Sequence, residues 1–211
     1  MRKPFHAFLA LSLLASVTAA HDDGESPWYL DLAIGTVSAD AVTPPGAGEV
    51  GFDAGVLGAL SVGRTLGHTG AVTWAVEGEL FYSYFKLDEG DLETLGGIEE
   101  QAAQATAWML NLEADVRLTS DVSLYAGAGI GFASDITFDS FNAGAFDQVD
   151  EDGVATQFQL GLRYKLGTDY DVSLGYRYFA TEDVEVANLG GGSSDVEFVN
   201  QAFELGFRWG L

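Results

Sequence analysis

Gln157-Phe158-Gln159-Leu160-Gly161-Leu162-Arg163-Tyr164-Lys165 alternates without a break: Phe158, Leu160, Leu162 and Tyr164 on one side, Gln157, Gln159, Gly161, Arg163 and Lys165 on the other. Successive side chains of a β-strand point to opposite faces, so this stretch reads as a strand with one apolar and one polar face. The next segment repeats it, with Val172, Leu174, Tyr176 and Tyr178 against Ser173, Gly175 and Arg177. A four-residue connection, Gly167-Thr168-Asp169-Tyr170, joins the two, which makes them an antiparallel hairpin.

The same period runs through the chain on both sides of this hairpin. Phe203, Leu205, Phe207, Trp209 and Leu211 oppose Glu204, Gly206, Arg208 and Gly210. Trp108, Leu110, Leu112, Val116 and Leu118 oppose Asn111, Glu113, Asp115 and Arg117. Val122 to Phe132 alternates with Ser123, Tyr125 and three glycines, and Val72, Trp74, Val76, Leu80 and Tyr82 oppose Glu77, Glu79 and Ser83. Weaker runs start at Trp28, with Leu30, Leu32 and Ile34 against Asp31 and Gly35, and at Phe52. Eight strands of about ten residues or more result, and their connections alternate in length. Residues 66–70, 119–121 and 167–170 are short turns; roughly 38–51, 86–104, 134–153 and 181–195 are long loops. Both termini then lie at the short-turn end.

Composition narrows the class. The 211 residues carry 9 Lys and Arg against 32 Asp and Glu, a formal charge of -23, with no Cys. Disulfides, thiolate metal sites and Cys nucleophiles are excluded, and so acidic a surface repels nucleic acid. Yet 47% of the chain is hydrophobic and mean hydropathy is +0.12, too apolar for a disordered acidic polymer. Acidic and apolar residues are therefore sorted onto different surfaces.

The N-terminus reads as a secretory signal peptide over 1–20: Arg2 and Lys3, an apolar run from Phe5 to Val17, then Thr18-Ala19-Ala20 before a polar stretch. Its removal takes the nine bases to seven and the charge to -25. Residues 21–27 are a short periplasmic N-terminal segment and 28–211 the barrel. No other segment approaches the length of an apolar spanning helix, so a membrane location requires a closed β-barrel.

Alternation alone leaves open which face is inside. A soluble periplasmic barrel that binds an apolar ligand would turn the apolar face inward. Three features place lipid outside: the polar face is rich in Gly, which suits a crowded lumen; aromatics gather near strand ends (Trp28, Trp74, Tyr82, Tyr84, Trp108, Tyr164, Tyr176, Tyr178, Trp209), as interfacial girdles require; and the chain ends Glu204-Leu205-Gly206-Phe207-Arg208-Trp209-Gly210-Leu211. That ending is similar to the C-terminal β-signal of outer-membrane proteins, with Glu204, Gly206, Trp209 and Leu211 in the polar, Gly, aromatic and terminal apolar places. A terminal Phe is common in that signal, and here Leu211 follows Gly210 instead. With the signal peptide and eight strands, residues 25–211 resemble the small outer-membrane β-barrel family of OmpA-type, OmpX-type and opacity-type proteins. The resemblance implies an all-β, eight-stranded antiparallel up-and-down transmembrane barrel with short periplasmic turns and long extracellular loops. It implies as partners outer-membrane lipid, lipopolysaccharide and the assembly machinery, and it says little of activity.

By alternation, inward acids are Asp31, Glu77, Glu79, Glu113, Asp115 and Glu204, and inward bases are Arg117, Arg163, Lys165, Arg177 and Arg208. Buried charges need partners, so these eleven are expected to form an ion-pair network that fills the lumen. A narrow cation-preferring channel is the alternative use of the same residues. Nineteen acids collect in the long loops against one loop base, Lys86, a rim that would gather cations. Asp147, Asp150 and Asp152 offer hard oxygen ligands for Ca²⁺ but lack EF-hand spacing, so a solvated acidic loop is the simpler reading. Contact with anionic lipopolysaccharide would run through divalent cations.

No cofactor and no catalytic residue is expected. His6 leaves with the signal, His21 is N-terminal and His68 lies in a short turn, so no imidazole reaches the loop Ser residues as a general base. A monomeric, non-enzymatic barrel is the expectation.

Overall fold

The computed structural model describes residues 27–39, 53–86, 102–138, 151–182, 184–188, 192–196 and 198–211. The stretch expected to be a signal peptide and most of the long connections lie outside these residues. The described chain is all β. Eight strands close a barrel: β1 (Trp28–Ala39), β2 (Gly55–Thr69), β3 (Val72–Lys86), β4 (Ala102–Arg117), β5 (Val122–Phe138), β6 (Glu151–Lys165), β7 (Tyr170–Thr181) and β10 (Val199–Gly210). Their order is β1-β10-β7-β6-β5-β4-β3-β2, every pair antiparallel, so all neighbours in the barrel are consecutive barrel strands.

Two features depart from the sequence expectation. The connection between β7 and β10 is not purely a loop: β8 (Val184–Asn188) and β9 (Gly192–Val196) pair only with each other as a separate hairpin. The stretch 66–70 is mostly strand, because β2 runs on through Thr69 with a bulge between Thr65 and Gly67. The turn is then two residues, Gly70-Ala71, between the paired Thr69 and Val72. Gly70 sits at φ 65 and among the described residues no non-Gly residue has positive φ, which fits the Gly-first turn that suits the twist of a hairpin.

Register partners traced once around from Ser83 pass through Leu57, Gly35, Glu204, Gly175, Gly161, Tyr125 and Asp115. They return to β3 at Thr73, ten residues nearer the turn end. With strands about 4.8 Å apart and a rise of about 3.4 Å per residue, that shift over eight strands tilts them by about 42°.

The apolar face points outward. Leu32, Ile34, Leu60, Leu112, Phe132, Leu160, Leu162, Leu174 and Leu205 are all at least half exposed, on seven of the eight barrel strands. An apolar band of that extent cannot face water; it is the surface a bilayer covers. The soluble-barrel alternative, which needs this face inside, is thereby set aside.

Candidate functional site

The lumen holds the chemistry, and its polar side chains come from the alternate residues of every strand. Three glycine positions make room for two large rings there: Tyr29 lies against Gly63, and Tyr125 against Gly161 and Gly175, where an added Cβ would collide with the ring.

Three guanidiniums join six carboxylates. Arg177 of β7 reaches across the lumen to Glu79 on the opposite strand β3 (Nη1 to Oε1, 2.6 Å) and bonds Glu204 through Nε at 2.9 Å. Arg163 pairs with Glu113 at 3.0 Å and Asp115 at 2.5 Å. Arg208 of β10 bonds Glu113 on the facing strand β4 at 2.9 Å, Glu77 at 2.7 Å and Asp31 at 2.9 Å. Each guanidinium also lies over a ring: Arg208 on Tyr29, Arg163 on Tyr125 and Arg177 on Phe81, at 3.9, 4.6 and 5.5 Å from the centroids.

Neutral groups satisfy the remaining lone pairs. Tyr29 Oη donates to Glu77 at 2.8 Å and Ser61 Oγ to Glu79 at 3.3 Å. Gln157 donates to Glu79 and to Asn111 Oδ1, and its own oxygen accepts from Arg177 at 2.7 Å. Such bidentate, charge-assisted contacts are the geometry in which buried ions are tolerated.

Arg117 and Lys165 do not join this network, although alternation gives them the same inward phase. Both are exposed, and among the described residues neither forms an ion pair. Each ends its strand, where the wall opens on a cavity of about 270 Å³ at the turn end. Glu113, Arg163 and Arg208 lie at its inner end, and the two exposed outer bases line it alongside Asp121, Asp169 and Asp171. The expected eleven-residue network is thus nine residues, six acids on three bases.

Toward the loop end the lumen turns apolar. Phe81 and Phe179, from diametrically opposite strands, stack with centroids 4.6 Å apart, and both are fully buried. Val37, Leu57, Met109, Ala105, Ala107, Ala133, Ala155 and Ala202 pack around them. Phe85 and Phe198 meet edge to face at 5.7 Å beyond. Sequence alternation missed this tier. Its signal was the run Leu80-Phe81-Tyr82, where apolar residues fall on both faces at once.

In the β-signal stretch, Glu204 and Gly206 face inward while Trp209 and Leu211 are 47% and 54% exposed. His68 Nδ1 lies 2.9 Å from Thr73 Oγ1, at the turn end. Asp147 and Asp150 are outside the described residues; Asp152 falls at the start of β6. Among the described residues no cluster of three or more His, Asp or Glu is arranged to hold a metal.

A closed, eight-stranded barrel with a lipid-facing apolar wall and an ion-paired interior is an outer-membrane architecture. The chain matches the family model for the outer membrane protein beta-barrel domain over residues 7–209, and it belongs to that family. Solved structures agree on the fold. Neisserial surface protein A is 16% identical with a TM-score of 0.55, covering 90% of this chain and all of its own. The outer membrane protein OprG from Pseudomonas aeruginosa is 13% identical with a TM-score of 0.54, covering 89% of this chain and 98% of its own. A comparison with curated protein sequences returned no match. The turn end therefore faces the periplasm and the loop end the outside.

Proposed function

We propose that this outer-membrane protein is a closed, non-catalytic barrel whose lumen serves stability and whose acidic external loops serve contact at the cell surface. One observation carries the closed-lumen reading: two unlike barriers lie in series, the cross-lumen Arg177–Glu79 pair and, outward of it, the Phe81–Phe179 stack. An ion would have to break a bidentate pair and then enter an apolar layer without replacement ligands, each step costing several kcal/mol. The loop acids would bind divalent cations and, through them, lipopolysaccharide, while the assembly machinery would read the end of β10. If chelation leaves association with lipopolysaccharide unchanged, the bridging role falls.

Because the chain has no Cys, a single introduced thiol is a clean reporter of water access. In the folded barrel, Lys165→Cys, at the periplasmic mouth, reacts with a charged thiol reagent. Ser83→Cys, at a fully buried position beside the aromatic tier, stays inert until unfolding. Comparable rates at the two positions would overturn the closed lumen.

A narrow cation path is the second reading, favoured by the excess of six carboxylates over three guanidiniums in the network. It requires the aromatic tier to part, and the Ser83→Cys rate reports that as well.

A further inference from the structure

Arg64 stands apart from the other bases. It continues the outward alternation of Leu60 and Val62, just before the bulge that ends the regular part of β2. Its guanidinium lies 5.5 Å over the ring of Trp28, its register partner on β1. Among the described residues it makes no ion pair, and its Nε is buried without a partner.

The surroundings give that charge a purpose. On the consecutive strands β10, β1, β2 and β3, the register and tilt bring Trp209, Trp28, Arg64 and Trp74 to nearly the same level, close to the periplasmic turns. Three of the chain's four tryptophans therefore flank one arginine, and Trp209 and Trp74 are 47% and 38% exposed. Indole rings at that height sit among headgroups, with the ring in the acyl boundary and the N–H free to donate. The outward positions of these four strands hold no acid near Arg64: its outward neighbours are Leu30, Val62, Val72, Val76 and Phe207. Among the described residues no side-chain carboxylate stands there as a counter-ion, and a phosphodiester oxygen of the bilayer matches the guanidinium's fork.

We infer that Arg64, with Trp28, Trp74 and Trp209, forms a binding site for an anionic phospholipid headgroup in the periplasmic leaflet. The guanidinium bonds the phosphodiester and the indoles cover the glycerol and upper acyl region. A net-negative lipid such as phosphatidylglycerol is preferred over a zwitterionic one, because the described residues of the site offer no side-chain carboxylate to the ammonium of the latter.

Native mass spectrometry of the folded barrel, released from detergent containing equal phosphatidylglycerol and phosphatidylcholine, tests this. The wild type is expected to retain phosphatidylglycerol selectively. Arg64→Gln lowers that retention roughly tenfold, the loss of a charge-assisted contact, and Arg64→Lys keeps part of it. Heat-dependent gel mobility, which reports the closed barrel, is unchanged in both variants, since Arg64 lies outside the lumen network. Equal retention of the two lipids by the wild type, or undiminished retention by Arg64→Gln, would overturn the site. Competition by soluble glycerophosphoglycerol at similar concentration would make it a general anion site and would overturn the lipid assignment.

Discussion

Arg177 is 2% exposed and holds Glu79 and Glu204 together at the centre of the lumen. Replacing it by Met would leave two buried carboxylates without a cation, a loss of about 3–5 kcal/mol. Urea unfolding in lipid vesicles should therefore show Arg177→Met far less stable than the wild type. Adding Glu79→Gln and Glu204→Gln should recover part of the loss, and a triple variant no better than the single one would mean that the ion pairs are incidental. At this scale the sequence was legible where chemistry and phase agree. A charged residue in mid-strand opposite Leu or Val has one place to go, which is how Asp31, Glu77 and Arg208 could be placed from alternation alone. Arg117 and Lys165 carry the same phase, but the period says nothing about depth, and at a strand end an inward side chain meets water. The opposite difficulty hid Phe81 and Phe179, since an inward aromatic on a strand whose outer face is also apolar leaves no alternation to read.

Among the elements, the β2–β3 hairpin is the most tightly specified. Gly70 adopts φ 65, a conformation that costs a residue with a Cβ about 1 kcal/mol or more. Gly70→Ala should lower barrel stability by about that amount, read as a shift in the urea midpoint, with the unfolding slope unchanged. An unchanged midpoint would mean that the turn tolerates a different geometry. The sequence showed a turn somewhere in 66–70 but not its length. Gly67 and Gly70 both look like turn residues, yet Gly67, at φ 147, belongs to the bulge and only Gly70 to the turn. The β8–β9 hairpin was equally hidden. Among the described residues it pairs only within itself, and its five-residue strands are too short to carry the long alternation that a lipid boundary imposes on the barrel wall.

On the scale of the whole molecule, the charge is distributed by environment. Strongly acidic overall, the chain places its paired charges in the lumen, leaves two bases at the periplasmic mouth and keeps its outer wall apolar except near the headgroups. Location and architecture follow from that sorting, and both were legible because a bilayer enforces the same period on every strand. Activity was not, because it rests on whether the interior can open, and no sequence period encodes that. Single-channel recording of the refolded barrel in a planar bilayer asks the question most directly, once heat-dependent gel mobility shows that it has folded. The closed-lumen account predicts a silent membrane for the wild type. Discrete, cation-selective steps that change when Arg163 or Arg177 is neutralised would contradict it and make the ion-pair network the wall of a channel.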